Sequence, residues 1–400
     1  MTKPFPKESL ATIIVLASLV AIGPLSTDMY LPALPIMRTA LNTSVDEMQL
    51  TLSVFLIGFA VAQLFCGPLA DRYGRKPVIA WGMVLFLLAS VGCSSADSIE
   101  ELLLYRLIQA VGACTGPVLG RAMIRDIYGP ERAASIYSYL ASIMALAPAI
   151  APIIGGWVAA YWGWREVFLL LALFVLVSLV FFSLKIEESL APELRQPIQL
   201  APIFRNFGSL LQDRTYIAYV MCMSFVYSGL FAFLSGSPFV LIEFLQVSES
   251  AFGFYFLVIV VGYISGSVFS GRFGEKFSLT RLLFIGAVIT AVSSLVCAGL
   301  AAMEVYNVWA VVLPIGFYAL GVGLVMPQSI SGALKHYPHM AGTASSLLGF
   351  SQMGIAAVVG VLVGTLHDGT SWIMAFFIAL MGCGTLASYL FLLPRSEKVG

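Results

Sequence analysis

The sequence predicts an all-α membrane protein with twelve transmembrane helices in two pseudo-symmetric six-helix bundles. Hydrophobic residues make up 60% of the 400 residues and charged residues only 10%, whereas soluble domains carry about 25% charged residues. The mean hydropathy is +0.95. Apolar stretches recur at lengths close to the roughly 20 residues that cross the core of a bilayer. Because so few charges cannot cover a water-exposed surface, we expect lipid to surround this fold.

Twelve apolar stretches can be marked along the chain by hydropathy. They lie at about 9–30, 47–69, 77–96, 99–122, 134–161, 165–185, 214–240, 250–271, 280–302, 308–333, 342–366 and 371–393. Lys3 and Lys7 precede the first stretch, so a secretory signal is the alternative interpretation there. Because this stretch continues into Asp28 without a small-residue cleavage site, we expect it to be the first transmembrane helix.

The basic residues are distributed unequally between alternate connections. One set of connections, together with both termini, holds nearly all of them, and the other set holds only Arg38 and Arg165. Connections rich in lysine and arginine stay in the cytoplasm. We therefore predict that the N and C termini are both cytoplasmic.

The longest polar connection, 186–213, divides the chain into an N-terminal bundle at 1–185 and a C-terminal bundle at 214–400. A shift of 200 residues places Arg72 beside Arg272, in corresponding connections of the two halves. Weak internal similarity of this kind is expected of a duplicated transporter.

Enzyme and cofactor signatures are missing from the sequence. No phosphate-binding Gly-x-x-x-x-Gly-Lys-Ser/Thr loop and no paired metal-ligand motif is present. The net charge of zero indicates no nucleic-acid partner. The six cysteines are scattered through apolar stretches, and we interpret them as packing residues. We expect no enzyme activity and no cofactor, so an ion or solute gradient must supply the energy.

The second span is followed by a segment rich in glycine and charge, Gly67-Pro68-Leu69-Ala70-Asp71-Arg72-Tyr73-Gly74-Arg75-Lys76-Pro77. Glycines allow a tight turn, and charges at helix ends can pair with a neighbouring helix. The segment resembles the major facilitator superfamily signature G-x-L-x-D-R-x-G-R-[KR]. The resemblance implies a gating role for Gly67, Asp71, Arg72, Gly74, Arg75 and Asp126.

Under this resemblance, Asp71 and Arg75 cluster with Asp126 and hold the transporter in one facing state. The alternative is that the basic residues of this loop only set the orientation in the membrane. The corresponding segment of the second half, 271–276, lacks the matching aspartate, so we expect a weaker latch there.

The fifth span contains two prolines and several small residues. Proline bends a helix, and small residues let a neighbouring helix approach closely. Ala151, Pro152, Gly155 and Gly156 resemble the end of the antiporter motif G-x-x-x-G-P-x-x-G-G, but alanines, Ala147 and Ala151, replace its first two glycines. Export is therefore implied less firmly, and a plain proline kink is the alternative.

The fourth span carries Arg106 and Gln109, which resemble the superfamily element R-x-x-Q-G, with Ala110 in place of the glycine. An arginine within a span is costly unless it meets water, a carboxylate or carbonyl groups. We expect Arg106 to face the protein interior. The alternative is a side chain that extends to the outer membrane surface.

Asp28 is the only acidic residue that we place firmly within a predicted span. A buried carboxyl near a cation can take up and release a proton as its surroundings change, which is what proton coupling requires. A helix-end aspartate in the outer vestibule is the alternative. Asp28, Tyr30, Leu31 and Pro32 resemble the D-x-Y-L-P motif of the bicyclomycin-resistance (Bcr/CflA) drug-efflux branch.

These resemblances imply a proton-coupled exporter of drug-like molecules in the bacterial inner membrane, acting as a monomer. We expect proton and substrate binding at Asp28, Arg106, Tyr30 and Gln109. Proton-coupled uptake is the alternative within transport, and a non-transporting receptor or scaffold is the alternative outside it. Further aromatic and amide candidates for substrate contact are Gln63, Tyr227, Phe231, Tyr255, Tyr263, Gln328 and Gln352.

Overall fold

The structure is a computed structural model that describes residues 10–195, 200–273, 276–337 and 340–394, with the backbone alone for 10, 129–146, 194 and 200–204. Lys3, Lys7, Gly274 and Glu275 lie outside the described residues. The weaker latch expected at 271–276 is therefore only partly described.

Every regular element of the described residues is helical, which confirms the predicted all-α class. The α-helices are α1 Leu10–Asp28, α2 Leu34–Ala40, α3 Val45–Tyr73, α4 Arg75–Ser95, α5 Ile99–Tyr161, α6 Trp164–Lys185, α7 Leu200–Leu210, α8 Arg214–Ser237, α9 Glu249–Phe273, α10 Leu279–Ala302, α11 Val308–Lys335, α12 Ala341–Thr365 and α13 Trp372–Ala387. Short π-helical turns, Pro238–Phe244 and Ser388–Leu392, extend α8 and α13.

Eleven helical segments among the described residues are long and apolar enough to cross a membrane, and Ala147–Tyr161 is a shorter apolar segment. Large apolar side chains stand on the outside of the helices, including Trp81, which is 74% exposed, and Phe317, which is 62% exposed. Such surfaces are stable only against an apolar solvent. The prediction of a protein with many membrane-spanning helices is confirmed.

The predicted spans at 99–122 and 134–161 belong to one continuous helix. The sequence places a connection between the spans at 99–122 and 134–161, but α5 is helical without interruption from Ile99 to Tyr161. Polar residues end a membrane span without ending a helix, because a helix satisfies its own backbone hydrogen bonds in water and in lipid alike.

The first span is longer than the predicted 9–30. After α1 ends at Asp28, a 3₁₀ turn and then α2 continue the apolar segment to Ala40. Pro32 and Pro35 each stand in the first turn of one of these helical pieces, where proline is tolerated because the missing N–H would have no intrahelical partner. The prolines therefore restart the helical path, and Asp28 lies at a break inside the span.

The chain forms two compact units. The first comprises Met1–Leu41 and Val54–Gln199, and the second comprises Asn42–Ser53 and Leu200–Gly400. The boundary between Gln199 and Leu200 falls inside the predicted central connection. The first turns of α3 group with the second unit, which differs from the predicted bundle at 1–185.

Small residues bring helix backbones together in both units. In the first unit, a side chain on Gly116 of α5 would overlap the carbonyl oxygen of Leu19 in α1. In the second, a side chain on Gly266 of α9 would overlap the carbonyl oxygen of Leu320 in α11. Lipid gives no hydrophobic drive for helix association, so close backbone packing of this kind stabilises each unit.

Candidate functional site

Arg106 is completely buried in the first unit. Its Nη1 donates hydrogen bonds to the carbonyl oxygen of Ser26 at 3.1 Å and to Oε1 of Gln109 at 2.6 Å. The guanidinium carbon lies 4.2 Å from the ring centroid of Tyr30 and 4.4 Å from that of Phe55. The side chain therefore faces the interior as expected, and the alternative of an arginine extended to the membrane surface is wrong.

The other edge of the same guanidinium is free. Within the described part of the chain, neither Nε nor Nη2 of Arg106 has a hydrogen-bond partner. Buried donors without partners are rare in folded proteins, and two parallel N–H groups on a guanidinium match the two oxygens of a carboxylate. This edge can receive a carboxylate or another planar group with two acceptor atoms.

Asp28 is 5% exposed and lies at the end of α1. Its Oδ1 accepts a hydrogen bond from Oγ1 of Thr27 at 3.0 Å. The ion pairs of the described residues do not include one between Asp28 and Arg106. Arg106 instead meets the carbonyl oxygen of Ser26 and the ring of Tyr30, which lie on either side of Asp28 in the chain. The structure thus brings Asp28 and Arg106 into one region without direct contact.

Gln109 extends the hydrogen-bond network of Arg106 from α5 to α4. Its Nε2 donates to Oγ of Ser90 at 2.8 Å, and that hydroxyl donates to the carbonyl oxygen of Phe86 at 2.8 Å. Both Gln109 and Ser90 are fully buried. The chain of bonds orients Gln109 so that its carbonyl oxygen is directed at the arginine. Ser90 and Phe55 belong to none of the motifs marked in the sequence.

The small residues of the predicted fifth span pack beside the break after Asp28. Ala151, Pro152, Gly155 and Gly156 are all buried. A side chain on Gly155 would overlap the carbonyl oxygen of Met29. A glycine at this position permits the close approach to the first span. The motif forms one wall of the region that contains Asp28.

The predicted charge cluster is assembled at the start of α4. Nη1 of Arg75 lies 2.7 Å from Oδ1 of Asp71, and its Nε lies 3.4 Å from Oδ2 of Asp126. Arg75 itself is only 8% exposed. Arg72 is exposed and lies over the ring of Tyr73, so its contacts differ from those of the cluster.

The two glycines of this segment have different surroundings. Gly74 is the single residue between α3 and α4, and its φ of 102° is one that side-chain-bearing residues rarely adopt. A side chain there would also overlap Oε2 of Glu188. Around Gly67, in contrast, a side chain would meet nothing within 4 Å. The fold therefore demands glycine at position 74 and gives no steric reason for it at 67.

Glu188 is a partner that the sequence analysis missed. Its Oε1 accepts a hydrogen bond from the backbone N–H of Arg75 at 3.0 Å, and its Oε2 accepts one from Lys76 at 3.1 Å. A carboxylate in the central connection was visible in the sequence, but no local spacing links it to a helix start more than a hundred residues earlier.

Several of the further substrate-contact candidates have structural partners in the second unit. Nε2 of Gln328 donates to Oγ of Ser270 at 2.7 Å, and the ring of Tyr255 lies 5.6 Å from that of Trp309. Phe231 occupies the space beside Gly360. These contacts place the three side chains in helix packing.

Known proteins similar to this chain agree in family. The family model of the Major Facilitator Superfamily matches residues 16–352 and 235–400. The uncharacterized MFS-type transporter YdgK of Bacillus subtilis is 34% identical over 90% of both chains. The bicyclomycin resistance protein homolog of Haemophilus influenzae is 30% identical over 98% of both, and multidrug resistance protein D of Escherichia coli is 28% identical over 97% of both.

Solved structures share the fold at low sequence identity. A crystal structure of a D-xylose-proton symporter superposes with a TM-score of 0.75 at 17% identity, covering 98% of this chain and 99% of the other. The xylose transporter XylE from E. coli, in a partially occluded inward-open conformation, gives a TM-score of 0.73 at 14% identity. This chain belongs to the Major Facilitator Superfamily and is therefore a multi-pass membrane transporter rather than an enzyme.

Proposed function

We propose that the protein is a proton-coupled exporter of drugs or other small molecules in the bacterial cytoplasmic membrane, working by alternating access. The observation that carries the proposal is the pair of buried ionisable side chains, Asp28 and Arg106, in one region of the first unit. Relatives matched over nearly the whole chain are named for bicyclomycin and multidrug resistance, which supports a drug-like substrate.

In the proposed topology the chain crosses the membrane twelve times, with both termini in the cytoplasm. Eleven segments are long and apolar enough to span. α5 counts twice, because its 63 residues would extend about 95 Å as a straight helix, against a hydrocarbon core of about 30 Å. The spans then form bundles at 1–185 and 214–400, which are joined by the connection at 186–213. The excess of basic residues on one side supports the orientation.

Asp28 carries the coupled proton in this proposal. A buried carboxyl that has no cation beside it is most stable in its neutral form, and among the described residues Asp28 is buried and forms no ion pair. When the proton leaves, the carboxylate needs a partner, and the Nε and Nη2 edge of Arg106, which has no hydrogen-bond partner among the described residues, has the matching shape. Protonation from the periplasm breaks that pair again, so proton binding and helix movement are linked.

Tyr30 and Gln109 support this exchange by orienting Arg106. Tyr30 is completely buried and its ring lies against the face of the Arg106 guanidinium. Gln109 accepts a hydrogen bond from Nη1 at the edge of the same guanidinium. We assign these two residues first to positioning of the arginine, with substrate contact following only when the region opens.

The cluster of Asp71, Arg75 and Asp126 acts as a gate in the same scheme and favours one facing state. Gly67, Arg72 and Gly74 complete the connection between the second and third spans. The buried face of Ala151, Pro152, Gly155 and Gly156 lies against the backbone next to Asp28, so movement of this helix and of the Asp28 region are coupled by packing. We propose that no cofactor takes part, that the proton is the coupling ion and that the transporter acts as a monomer.

The test is drug-driven proton exchange in proteoliposomes with the variant Asp28→Asn. We expect this variant to insert normally and to lose coupled exchange. Asp97→Asn serves as the matched control, because Asp97 is an exposed aspartate that pairs with Arg165 at 2.9 Å. Coupled transport at the wild-type rate by Asp28→Asn would overturn the proposal.

Proton-coupled uptake is the second candidate, because Ala147 and Ala151 stand where the antiporter motif has glycines. Inside-out vesicles with an acidic interior distinguish the two directions. An exporter accumulates the drug in these vesicles as protons leave, whereas a symporter expels its solute together with protons. If no substrate of a broad drug panel is moved in either direction, a non-transporting receptor or scaffold is favoured.

A further inference from the structure

The carboxylate of Glu188 accepts four backbone hydrogen bonds. Two come from the first residues of α4, Arg75 and Lys76, at 3.0 and 3.1 Å. The other two come from its own segment, from the N–H groups of Ser189 at 2.8 Å and Leu190 at 3.0 Å. One side chain therefore joins the segment after α6 to the start of α4.

The first turn of α4 depends on this distant carboxylate. The first N–H groups of a helix have no partner within the helix, and the residue before α4 is Gly74, which has no side chain to cap them. A negative charge is favoured at a helix N-terminus because the peptide dipoles are aligned there. Glu188 supplies both the acceptor atoms and the charge, and it occupies the space that a side chain on residue 74 would need.

The same segment reaches the charge cluster at a second point. Oγ of Ser189 lies 3.3 Å from Oδ2 of Asp126, the oxygen that also faces Nε of Arg75 at 3.4 Å. A third connection runs from Nζ of Lys76 to the carbonyl oxygen of Ser183 at 2.8 Å. The backbone of Arg75 is thus bound by Glu188, and its side chain is bound by Asp126, which Ser189 contacts.

We propose that Glu188 is a positioning residue for the Asp71, Arg75 and Asp126 cluster and that it anchors the central connection to this cluster. The inference rests on the gating role given to the cluster in the proposed function. By fixing the backbone of Arg75, Glu188 keeps the guanidinium between its two aspartates. Since the connection leads from the first half to the second, a displacement of Glu188 with this connection also displaces the start of α4 and the Asp71, Arg75 and Asp126 cluster.

The experiment compares Glu188→Gln with its neighbour Glu187→Gln in the full-length protein. Glutamine keeps the size of the side chain but has only one acceptor oxygen and no charge, so it cannot satisfy both α4 amides. Glu187 is exposed and provides the matched control. Hydrogen–deuterium exchange should become about tenfold faster in peptides covering 74–78 and 186–190 of Glu188→Gln, and should be unchanged in Glu187→Gln.

Transport assays then test whether Glu188 acts through Arg75. Glu188→Gln should slow drug-driven proton exchange in the wild-type background, and it should have no added effect in the background of Arg75→Ala, because a positioning residue has nothing left to position. Glu188→Asp, which retains the charge, should recover part of the rate. Unchanged hydrogen exchange in Glu188→Gln, or additive slowing in the double variant, would overturn the proposal.

Failure of the proposed function has a different signature. If the wild type moves no drug against protons, the export proposal fails, while hydrogen exchange at 74–78 in the wild type, Glu188→Gln and Glu187→Gln still decides whether Glu188 holds the start of α4. Faster exchange in Glu188→Gln combined with wild-type transport would assign Glu188 to folding alone and overturn its positioning role.

Discussion

The guanidinium carbon of Arg106 lies 4.2 Å above the ring centroid of Tyr30, in a place where neither residue is exposed to solvent. The aromatic ring stabilises the cation on one face, while the carbonyl oxygen of Ser26 and the amide of Gln109 bind one edge. The second edge is left for an acceptor. A buried charge is thus kept in the first unit in a state that can bind a further partner.

Arg106→Lys tests the shape of this cation. Lysine keeps the positive charge but lacks the planar fork that stacks on rings and binds two oxygens together. We expect drug-driven proton exchange to fall at least about tenfold, equivalent to about 1.4 kcal/mol, while membrane insertion is retained. Arg205→Lys is the control, because Arg205 is exposed and lies outside the proposed site and gate. Transport by Arg106→Lys at the wild-type rate would show that charge alone is sufficient.

Gly155→Ala tests the close approach of α5 to the backbone beside Asp28. The added methyl group would overlap the carbonyl oxygen of Met29, so the helices must separate. We expect a loss of about 1–3 kcal/mol of stability and slower transport, measured by thermal unfolding in detergent and by flux. Gly354→Ala, where a side chain meets nothing within 4 Å, should leave stability unchanged or slightly higher. Equal behaviour of the two variants would contradict the packing argument.

Gln49→Met tests an amide that is buried without partners. Among the described residues, neither Nε2 nor Oε1 of Gln49 has a hydrogen-bond partner, and the side chain packs against Gly364 of α12 in the second unit. An unsatisfied buried polar group destabilises by about 1–3 kcal/mol, so an apolar replacement of similar size should raise the unfolding temperature. Gln212→Met, at an exposed position, should show no such gain. A lower unfolding temperature for Gln49→Met would show that the amide has a partner.

The bond between Tyr337 and Asp213, outside the spans of the second unit, predicts a dependence of stability on pH. Partial burial raises the pKa of Asp213. Hydrogen bonds from Tyr337 and from the backbone of Thr215 lower this pKa by more than burial raises it, so the net shift is downward. Burial, and then the carboxylate of Asp213, raises the pKa of Tyr337 to about 12. The native state therefore favours an ionised Asp213 and a neutral Tyr337.

Tyr337→Phe removes the donor of this bond. The stabilisation from Asp213 is present above its unfolded pKa of about 3.9 and is lost as pH falls through the lower native value. The contribution of Tyr337 is complete below about pH 10 and is lost as pH rises through about 12. We expect the variant to unfold at lower temperature than the wild type at pH 7, with a smaller difference at pH 3. A constant difference across this range would contradict the assignment, and Tyr161→Phe, at an exposed tyrosine, is the control.

Much of the charged region could be predicted from local sequence because its parts are close together in the chain. Asp71 and Arg75 are four residues apart on consecutive helix ends, and Arg106 and Gln109 share one helix face at a separation of three. Glu188 could not be found in this way. Its partners are 113 and 112 positions away, and no periodicity links a residue of a connection to the N–H groups of a distant helix.

The sequence by itself determined that this chain is a membrane protein, which segments are apolar enough to cross the bilayer and which charges lie among them. Local sequence is sufficient for this, because bilayer thickness and the cost of burying charge act on each segment separately. The tertiary structure decided which of those charges meet. Asp28 and Arg106 share a region without an ion pair, and Arg106 instead binds the carbonyl oxygen of Ser26 and stacks on the ring of Tyr30. The start of α4 is completed by Glu188, because the unpaired N–H groups of a helix donate to any well-placed carboxylate, and only the packing of α6 against α4 brings this one within reach.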